Sequence, residues 1–338
     1  MKVNFNNIIL TLDYEIFFGN KSGSVEKCIL EPTDYFKNKI LKVYPVKTII
    51  FVDFLFLWKL KENGLTYYYE KIKKQINELV ERYNCIVGLH IHSHWLDSIY
   101  DFKNNIWIFK SYKRYIFPLL SNNEIKFIIN KCKEVLSDIL PGYNVEWFRA
   151  GGWCIEPFYK IAPYLKEFGI KKDSSVVHNF YLKTIAHNVD FRKVPLKPFW
   201  KFDNSVLENN ENGYFEEYPI TSAKIYPVFS KIYNILIRNN MLKQKWGDGV
   251  PVGINYNVSF SKKIFFILKK LIKKQVYMLN FENMSAKVMK MVINNYTKMV
   301  KFDENNPTHK IVFIAHPKGI SPWSIEELNK FLKQINEL

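Results

Sequence analysis

The sequence has few cysteines and no cysteine pair. Its 338 residues contain Cys28, Cys85, Cys132 and Cys154, and no two of them form a Cys-x-x-Cys motif. This spacing argues against a disulfide framework and against the common cysteine-based metal motifs. Sparse, unpatterned cysteine is typical of proteins that keep their thiols reduced, and it favours a cytoplasmic location.

Long apolar runs are also absent. No stretch approaches the roughly 18 apolar residues that a membrane-spanning helix needs. The opening residues, MKVNFNNIILTLDYE, contain a short apolar run with carboxylates directly after it, unlike a secretory signal. We therefore expect a cytoplasmic protein that meets any envelope sugar on the inner side of the membrane.

Nucleic-acid motifs and arginine-rich tracts are missing, although the chain is basic. Its net charge is +17, and the positive charges are mostly lysines spread along the whole sequence. This distribution favours a solvated, lysine-rich surface, with contact to an anionic membrane as the second interpretation. We expect no nucleic-acid partner.

Two basic amphipathic stretches, Lys224–Gln244 and Ser259–Gln275, lie within residues 222–285. The second contains SKKIFFILKKLIKKQ, which fits either a helix lying on an anionic bilayer or an ordinary surface helix. We interpret 222–285 as a basic amphipathic insertion in a single catalytic domain that spans residues 1–338. Peripheral contact with the inner membrane remains an open expectation.

Short apolar runs alternate with longer amphipathic stretches. The runs that predict strands are Ile8–Asp13, Thr48–Asp53, Cys85–His90, Val145–Arg149, Ser174–Val177, Tyr214–Ile220 and Ile311–His316. Between them, Tyr67–Arg82 and Asn123–Leu140 have apolar residues at every third or fourth position, which predicts helices. This alternation, repeated about seven times, predicts an α/β fold whose parallel strands close into a barrel.

Polar side chains stand where the predicted strands end. Asp13 and Glu15 end the first strand and share one side of an extended chain. His90, His92 and His94 alternate at the end of the third, in GLHIHSHW. Two imidazoles and one carboxylate make a catalytic zinc-type site with room for water. The spacing leaves open which two histidines and which carboxylate bind the ion.

Three other strand ends carry candidate residues. Arg149, in EWFRAGGWC, could pair with a catalytic carboxylate and hold it ionised. His316, in IVFIAHPKG, could act as a general acid opposite a metal site. We expect Asp173 or Glu217 to be its acidic partner, although Asp173 also fits a turn cap.

In order and spacing, these motifs resemble the NodB-homology polysaccharide deacetylases, carbohydrate esterase family 4, over nearly the whole chain. The segments that carry the resemblance are Thr11–Glu15 (first motif, Thr-Phe-Asp-Asp), Thr48–Val52 (the following strand), His90–His94 (the His-x-x-x-His metal pair), Phe148–Gly152 (the arginine motif) and Ala315–His316 (the terminal histidine motif). The resemblance implies a distorted (β/α)7 barrel and one divalent metal ion, often zinc.

Carried over to this chain, the resemblance implies His90 and His94 as metal ligands. The second aspartate of the first motif aligns with Tyr14, a poor ligand, so Glu15 is its natural substitute. The resemblance further implies that Asp13 is the base that activates water.

For the remaining catalytic groups, the resemblance implies that Arg149 orients the base and that His316 protonates the leaving group. Asp173 loosely resembles the acid that tunes this histidine.

The activity that the resemblance implies is metal-dependent removal of an N- or O-acyl group, in particular acetyl, from a sugar. Likeness to surface-glycan and lipopolysaccharide enzymes favours a glycolipid or a sugar precursor as substrate. Two alternatives stay open: a deformylase that acts on a lipid-linked amino sugar, and a non-catalytic glycan-binding relative.

Overall fold

An eight-stranded sheet forms the centre of the computed structural model, which describes residues 3–18, 21–109, 111–112, 114–226, 245–250 and 273–336. In chain order the strands of these ranges are β1 (Ile8–Tyr14), β2 (Lys47–Asp53), β3 (Ile86–Ile91), β4 (Ser98–Asp101), β5 (Ile106–Phe109), β6 (Trp147–Ala150), β7 (Lys172–Asp173), β8 (Tyr181–Lys183), β9 (Asn188–Asp190), β10 (Trp200–Phe202), β11 (Phe215–Glu217), β12 (Ser222–Ile225), β13 (Gln275–Met278) and β14 (Ile311–Ala315).

The central sheet has the strand order β10-β11-β7-β6-β3-β2-β1-β14. Neighbouring strands run parallel except β10 and β11, which are antiparallel. The remaining strands form three two-stranded pairs, β4–β5, β8–β9 and β12–β13. Every residue of β1 and β14 is buried, as expected for parallel strands that are covered on both faces.

Backbone hydrogen bonds bring the two ends of the sheet together. Just after β11, the Ile220 amide donates to Val176 O at 2.8 Å, and the Thr221 amide donates to Val312 O at 3.1 Å. Val312 in β14 donates its own amide to Thr221 Oγ1 at 2.9 Å. The sheet therefore curls into a barrel-like form, and the predicted α/β fold is confirmed at this level.

Seven α-helices pack around the sheet in the described ranges: α1 (Glu31–Phe36), α2 (Phe54–Glu62), α3 (Thr66–Tyr83), α4 (Asn122–Ile139), α5 (Ala162–Phe168), α6 (Ala286–Met299) and α7 (Pro322–Asn336). The predicted helices Tyr67–Arg82 and Asn123–Leu140 correspond to α3 and α4. Helix α4 begins at a reciprocal cap, in which Ser121 and Glu124 each accept a hydrogen bond from the other's backbone amide.

The predicted strand Ser174–Val177 differs from the structure, where β7 covers only Lys172–Asp173. The serine side chains explain the difference. Ser174 Oγ donates to Tyr218 O at 2.8 Å, and Ser175 Oγ donates to Asp173 Oδ2 at 2.9 Å. Such local side-chain bonds compete with a regular ladder.

Most of the predicted basic insertion lies outside the described residues, which omit 227–244 and 251–272. Both amphipathic stretches fall largely in these gaps. Across the ranges that are described, no helix combines the length and the apolar character needed to cross a bilayer.

The buried His178 makes the stability of this fold sensitive to acid. Burial lowers the pKa of His178 to about 4, and its ring packs against Trp200 and Tyr296. Below the ordinary histidine pKa of 6.5, the unfolded chain binds a proton that the folded chain refuses until the pH nears 4. Stability is therefore lost as pH falls through this window.

We expect His178→Asn to flatten this acid dependence. Between about pH 7 and about pH 4.5, the wild-type free energy of unfolding should fall by roughly 2 to 3 kcal/mol more than that of the variant. Urea unfolding at both pH values measures the difference. Equal losses of unfolding free energy in the two proteins would show that His178 is not the source of the acid sensitivity.

Candidate functional site

The carboxyl ends of β1, β3 and β14 meet at one edge of the sheet, because these strands are parallel. Their polar residues line a pocket of about 260 Å³. The residues around it are Asp13, Glu15, Phe17, Phe18, His90, His92, Tyr115, Ala150, Gly152, Trp153, His187, Lys245, Glu282, His316, Lys318 and Gly319. The pocket thus combines carboxylates and imidazoles with aromatic walls.

Glu15, His90 and His92 form a compact group of possible metal ligands. One ligand atom from each lies within 4.8 Å of the others, and all three residues are buried. Glu15 Oε2 is 3.2 Å from His90 Nε2 and 2.5 Å from His92 Nε2. Such a group could hold a metal ion.

The hydrogen bond of His90 to the backbone shows why a cation fits here. His90 Nδ1 lies 2.8 Å from Arg149 O, and a carbonyl oxygen only accepts. Nδ1 therefore carries the hydrogen, and Nε2 faces the Glu15 carboxylate, so that without a bound proton or ion its lone pair would point at that carboxylate. Two facing acceptors need a proton or a metal ion between them. A backbone carbonyl on the far nitrogen is also a common arrangement for metal-binding histidines.

His92 supports the same interpretation. Both of its ring nitrogens are buried without a hydrogen-bond partner of normal geometry among the described residues, despite the close approach of Glu15. A buried polar group left in this state costs about 1–3 kcal/mol. An ion bound between Glu15 and His92 Nε2 would remove that cost at this nitrogen.

The charges around Glu15 keep it ionised. Burial raises the pKa of Glu15, but Lys318 and the neighbouring histidines lower it by more, so the pKa lies well below the usual range. Lys318 Nζ donates to Glu15 Oε1 at 2.6 Å. His90 responds in the opposite direction: burial lowers its pKa, but the hydrogen bond to Glu15 and the charge of Asp13 raise it to about 9.

His94 does not line this pocket. Its ring stacks on Tyr115 with centroids 5.7 Å apart, and it packs against Trp95 and Phe109. The backbone explains this placement, because the chain leaves its extended form after His92 and turns through Ser93–Asp97. The resemblance paired His94 with His90, whereas the structure groups His92 with His90 and Glu15.

Arg149 and Asp13 form a buried ion pair beside this group. Arg149 Nη1 donates to Asp13 Oδ1 at 2.6 Å and to Thr11 Oγ1 at 2.8 Å. Burial raises the pKa of Asp13, but Arg149 and the nearby histidines outweigh it and hold the pKa below the usual value. Asp13 is therefore ionised and fixed, and its Oδ2 lies 3.7 Å from His316 Nε2.

Glu282 is the acidic partner of His316. Its Oε1 accepts the His316 amide at 2.7 Å and lies 2.8 Å from His316 Nδ1. Burial lowers the pKa of His316, but Glu282 and Asp13 raise it above the usual value. The prediction that Asp173 or Glu217 is this partner was wrong.

Asp173 and Glu217 lie inside the sheet, outside the pocket lining. They are register partners on β7 and β11, and both are buried. Asp173 accepts hydrogen bonds from the Ser175 amide and hydroxyl at 2.8 and 2.9 Å. Burial and the charge of Asp173 raise the pKa of Glu217 well above the usual range, so the pair shares a proton. Its position fits a structural role.

Several pocket residues were not predicted from the sequence pattern, above all Lys318 and Glu282. Lys318 follows His316 by two positions in AHPKG, a spacing that could have drawn attention to it. Glu282 gave no comparable signal, because it lies in an irregular segment between β13 and α6. Tyr115 and His187 likewise come from segments without a strand-end pattern.

No family model matches the chain, and no curated protein matches it. Among solved structures, the chain is similar to a GH57 branching enzyme from the hyperthermophilic archaeon Thermococcus kodakaraensis, in complex with glucose and additives. The identity is 11%, the TM-score is 0.48, and the alignment covers 100% of this chain and 69% of that chain. A likeness this distant assigns no activity.

These comparisons correct the resemblance drawn from the sequence. The assignment to the NodB-homology polysaccharide deacetylases was wrong, since no family model matches the chain. The motifs behind the assignment are short segments at strand ends. Any barrel-like α/β protein that gathers polar residues at the carboxyl edge of its sheet can produce them.

Proposed function

We propose that the protein is a metal-dependent hydrolase that removes an N- or O-acyl group, in particular acetyl, from a sugar or glycolipid. The observation that carries the proposal is the buried group Glu15, His90 and His92, placed beside Asp13 and His316 in one pocket. A metal site, an ionised carboxylate and a histidine are the parts that a metal-dependent hydrolysis of an acyl bond uses.

Glu15, His90 and His92 would hold the ion. Two imidazoles and one carboxylate are a donor set of catalytic zinc sites, so zinc is the ion to test first. A divalent ion there would polarise an acyl carbonyl and lower the pKa of water. The hydrogen bond from Lys318 fixes the orientation of Glu15, and the hydrogen bond to the Arg149 carbonyl fixes that of His90.

Asp13 would take the proton of the attacking water. Its Oδ1 is occupied by Arg149, which leaves Oδ2 on the side of His316. As the new bond from water oxygen to the acyl carbon forms, Asp13 accepts the proton. The Arg149 guanidinium keeps this carboxylate in place before and after the transfer.

His316 would give a proton to the leaving group. Glu282 holds Nδ1, so Nε2 points toward Asp13 and Glu15, 3.7 Å from each. When the bond from the acyl carbon to nitrogen or oxygen breaks, the departing amine or alcohol takes this proton. An amide needs it most, because an amide anion is a very poor leaving group.

The pocket walls support a sugar as the acyl carrier. Phe17, Phe18, Tyr115 and Trp153 line a volume of about 260 Å³, which is at the small end for a ligand site. Aromatic faces pack well against the C–H faces of a sugar ring. The net charge of +17 would favour an anionic membrane surface if the sugar is carried by a lipid.

The first test compares two histidines that are only two residues apart. We expect His92→Gln to lower metal affinity by more than about 100-fold, because it removes a ligand, and His94→Gln to leave affinity close to that of the wild type. Elemental analysis and chelator competition measure both. Full metal occupancy in His92→Gln, or an equal loss in the two variants, would refute the ligand assignment.

The second test uses two substrates with different leaving groups. We expect His316→Ala to lower kcat on an acetamide substrate by about 10²- to 10⁴-fold, and to affect an activated aryl acetate much less. The reason is that an aryl oxide departs without a proton. Steady-state kinetics of the metal-loaded protein give the ratio, and equal losses on both substrates would remove His316 from the role of acid.

A further inference from the structure

Tyr115 has a buried hydroxyl without a partner in the pocket wall. The residue is 2% exposed, and its Oη finds no hydrogen-bond partner among the described residues. Leaving a hydroxyl in this state costs about 1–3 kcal/mol, and native structures contain few such groups. A polar group kept at this cost inside a pocket suggests that a ligand supplies the missing bond.

Packing fixes the direction of this hydroxyl. The Tyr115 ring lies 5.1 Å from the Phe18 ring and 4.8 Å from the His187 ring, and it stacks on His94. The Tyr115 backbone carbonyl also accepts a hydrogen bond from Ser93 Oγ at 3.3 Å. With its ring held on several sides, Tyr115 cannot turn its hydroxyl toward solvent.

His187 presents a donor beside it. Thr184 Oγ1 accepts the Ala186 amide at 3.1 Å and the His187 amide at 3.0 Å. Its own hydrogen is then free to point at His187 Nδ1, 3.1 Å away. In that arrangement Nδ1 accepts, so the hydrogen of the neutral ring is on Nε2. The β8–β9 hairpin thereby aims an N–H donor at the pocket.

Gly152 lies against both of these polar groups. A methyl carbon added at Gly152 would stand 2.7 Å from Tyr115 Oη and 2.9 Å from His187 Nε2. Tyr115 Oη and His187 Nε2 therefore approach the same glycine in the pocket wall and lie beside each other. Trp153 follows directly and lines the same pocket. Any residue larger than glycine at position 152 would crowd both polar atoms.

We propose that Tyr115 and His187 form a subsite that binds one ring hydroxyl of the substrate, and this rests on the proposed hydrolysis of an acylated sugar. The hydroxyl oxygen accepts from His187 Nε2–H and exchanges a second hydrogen bond with Tyr115 Oη. A tyrosine hydroxyl is neutral at neutral pH, and a histidine ring whose Nδ1 accepts and whose Nε2 carries the hydrogen is neutral as well. An uncharged pair suits a hydroxyl better than a phosphate or a carboxylate.

The experiment compares Tyr115→Phe with wild type in the full-length, metal-loaded protein. One probe is 4-nitrophenyl acetate, which has no ring hydroxyl. The others are N-acetylated hexosamines of gluco, galacto and manno configuration. We expect Tyr115→Phe to keep kcat/KM on the aryl ester within about twofold and to lose about 10-fold or more on the preferred sugar, the equivalent of one hydrogen bond.

A matched control and a stability measurement sharpen the result. Tyr159→Phe removes a hydroxyl from a residue that is 59% exposed, and it should change neither rate. Because the Tyr115 hydroxyl has no partner in the free protein, Tyr115→Phe should leave the melting temperature unchanged or raise it. Loss of sugar activity together with a lower melting temperature would indicate a structural role instead.

Substrate analogues identify the hydroxyl itself. One monodeoxy analogue of the preferred sugar should react equally well with wild type and Tyr115→Phe, whereas the others keep the difference. The subsite is refuted if every analogue keeps the difference between wild type and Tyr115→Phe. It is also refuted if the substitution lowers kcat/KM on the aryl ester as much as on the sugar.

Binding separates this proposal from the function on which it rests. If the wild type hydrolyses none of the sugars, the proposed function fails, and the subsite is then tested by the dissociation constants of the same sugars. Calorimetry should give a constant about 10-fold higher for Tyr115→Phe. Equal constants, or no binding to the wild type, would overturn the subsite.

Discussion

The buried guanidinium of Arg149 connects the strands on which the site is built. It is fully buried on β6 and donates to Thr11 and Asp13 of β1 and to the carbonyl of Ser174 beyond β7. The Arg149 backbone carbonyl meanwhile fixes His90 on β3. A buried charge needs every donor satisfied, since an unpaired one costs several kcal/mol. The hydrogen bonds of one residue therefore link β1, β3, β6 and the segment after β7 around the site.

Two buried cations, Arg149 and Lys318, keep the acids that face the pocket ionised. Asp13 stays ionised because Arg149 is in contact with it, and Glu15 stays ionised because Lys318 is. At the deeper pair of Asp173 and Glu217, burial and the repulsion between the two carboxylates outweigh the lowering effect of Arg149 on the pKa of Glu217, and the pair holds a proton. Acids of similar intrinsic strength thus divide into fully ionised groups that face the pocket and a pair inside the sheet that shares one proton.

Much of the fold and part of the site follow from sequence pattern. The buried runs and the period of α3 and α4 predicted the elements, and the strand ends pointed to Asp13, Glu15 and His90. Alternation could not decide between His92 and His94, because the choice depends on the residue at which the chain leaves its extended form. Glu282 could not be found, since its contact with His316 joins an irregular segment to a strand end. The family assignment failed because short strand-end motifs are shared by unrelated proteins.

The pairing of β1 with β14 has a consequence for how the protein is made. Thr11 Oγ1 donates to Phe313 O at 2.5 Å across a separation of 302 residues. Before the ribosome has synthesised β14, one edge of β1 lacks its neighbour, and both His316 and Lys318 are missing from beside Glu15. Contacts this distant in sequence form late and slow the search for the native topology. An incomplete nascent chain therefore cannot carry a finished pocket, and quality-control factors would meet an open sheet edge in every truncated product.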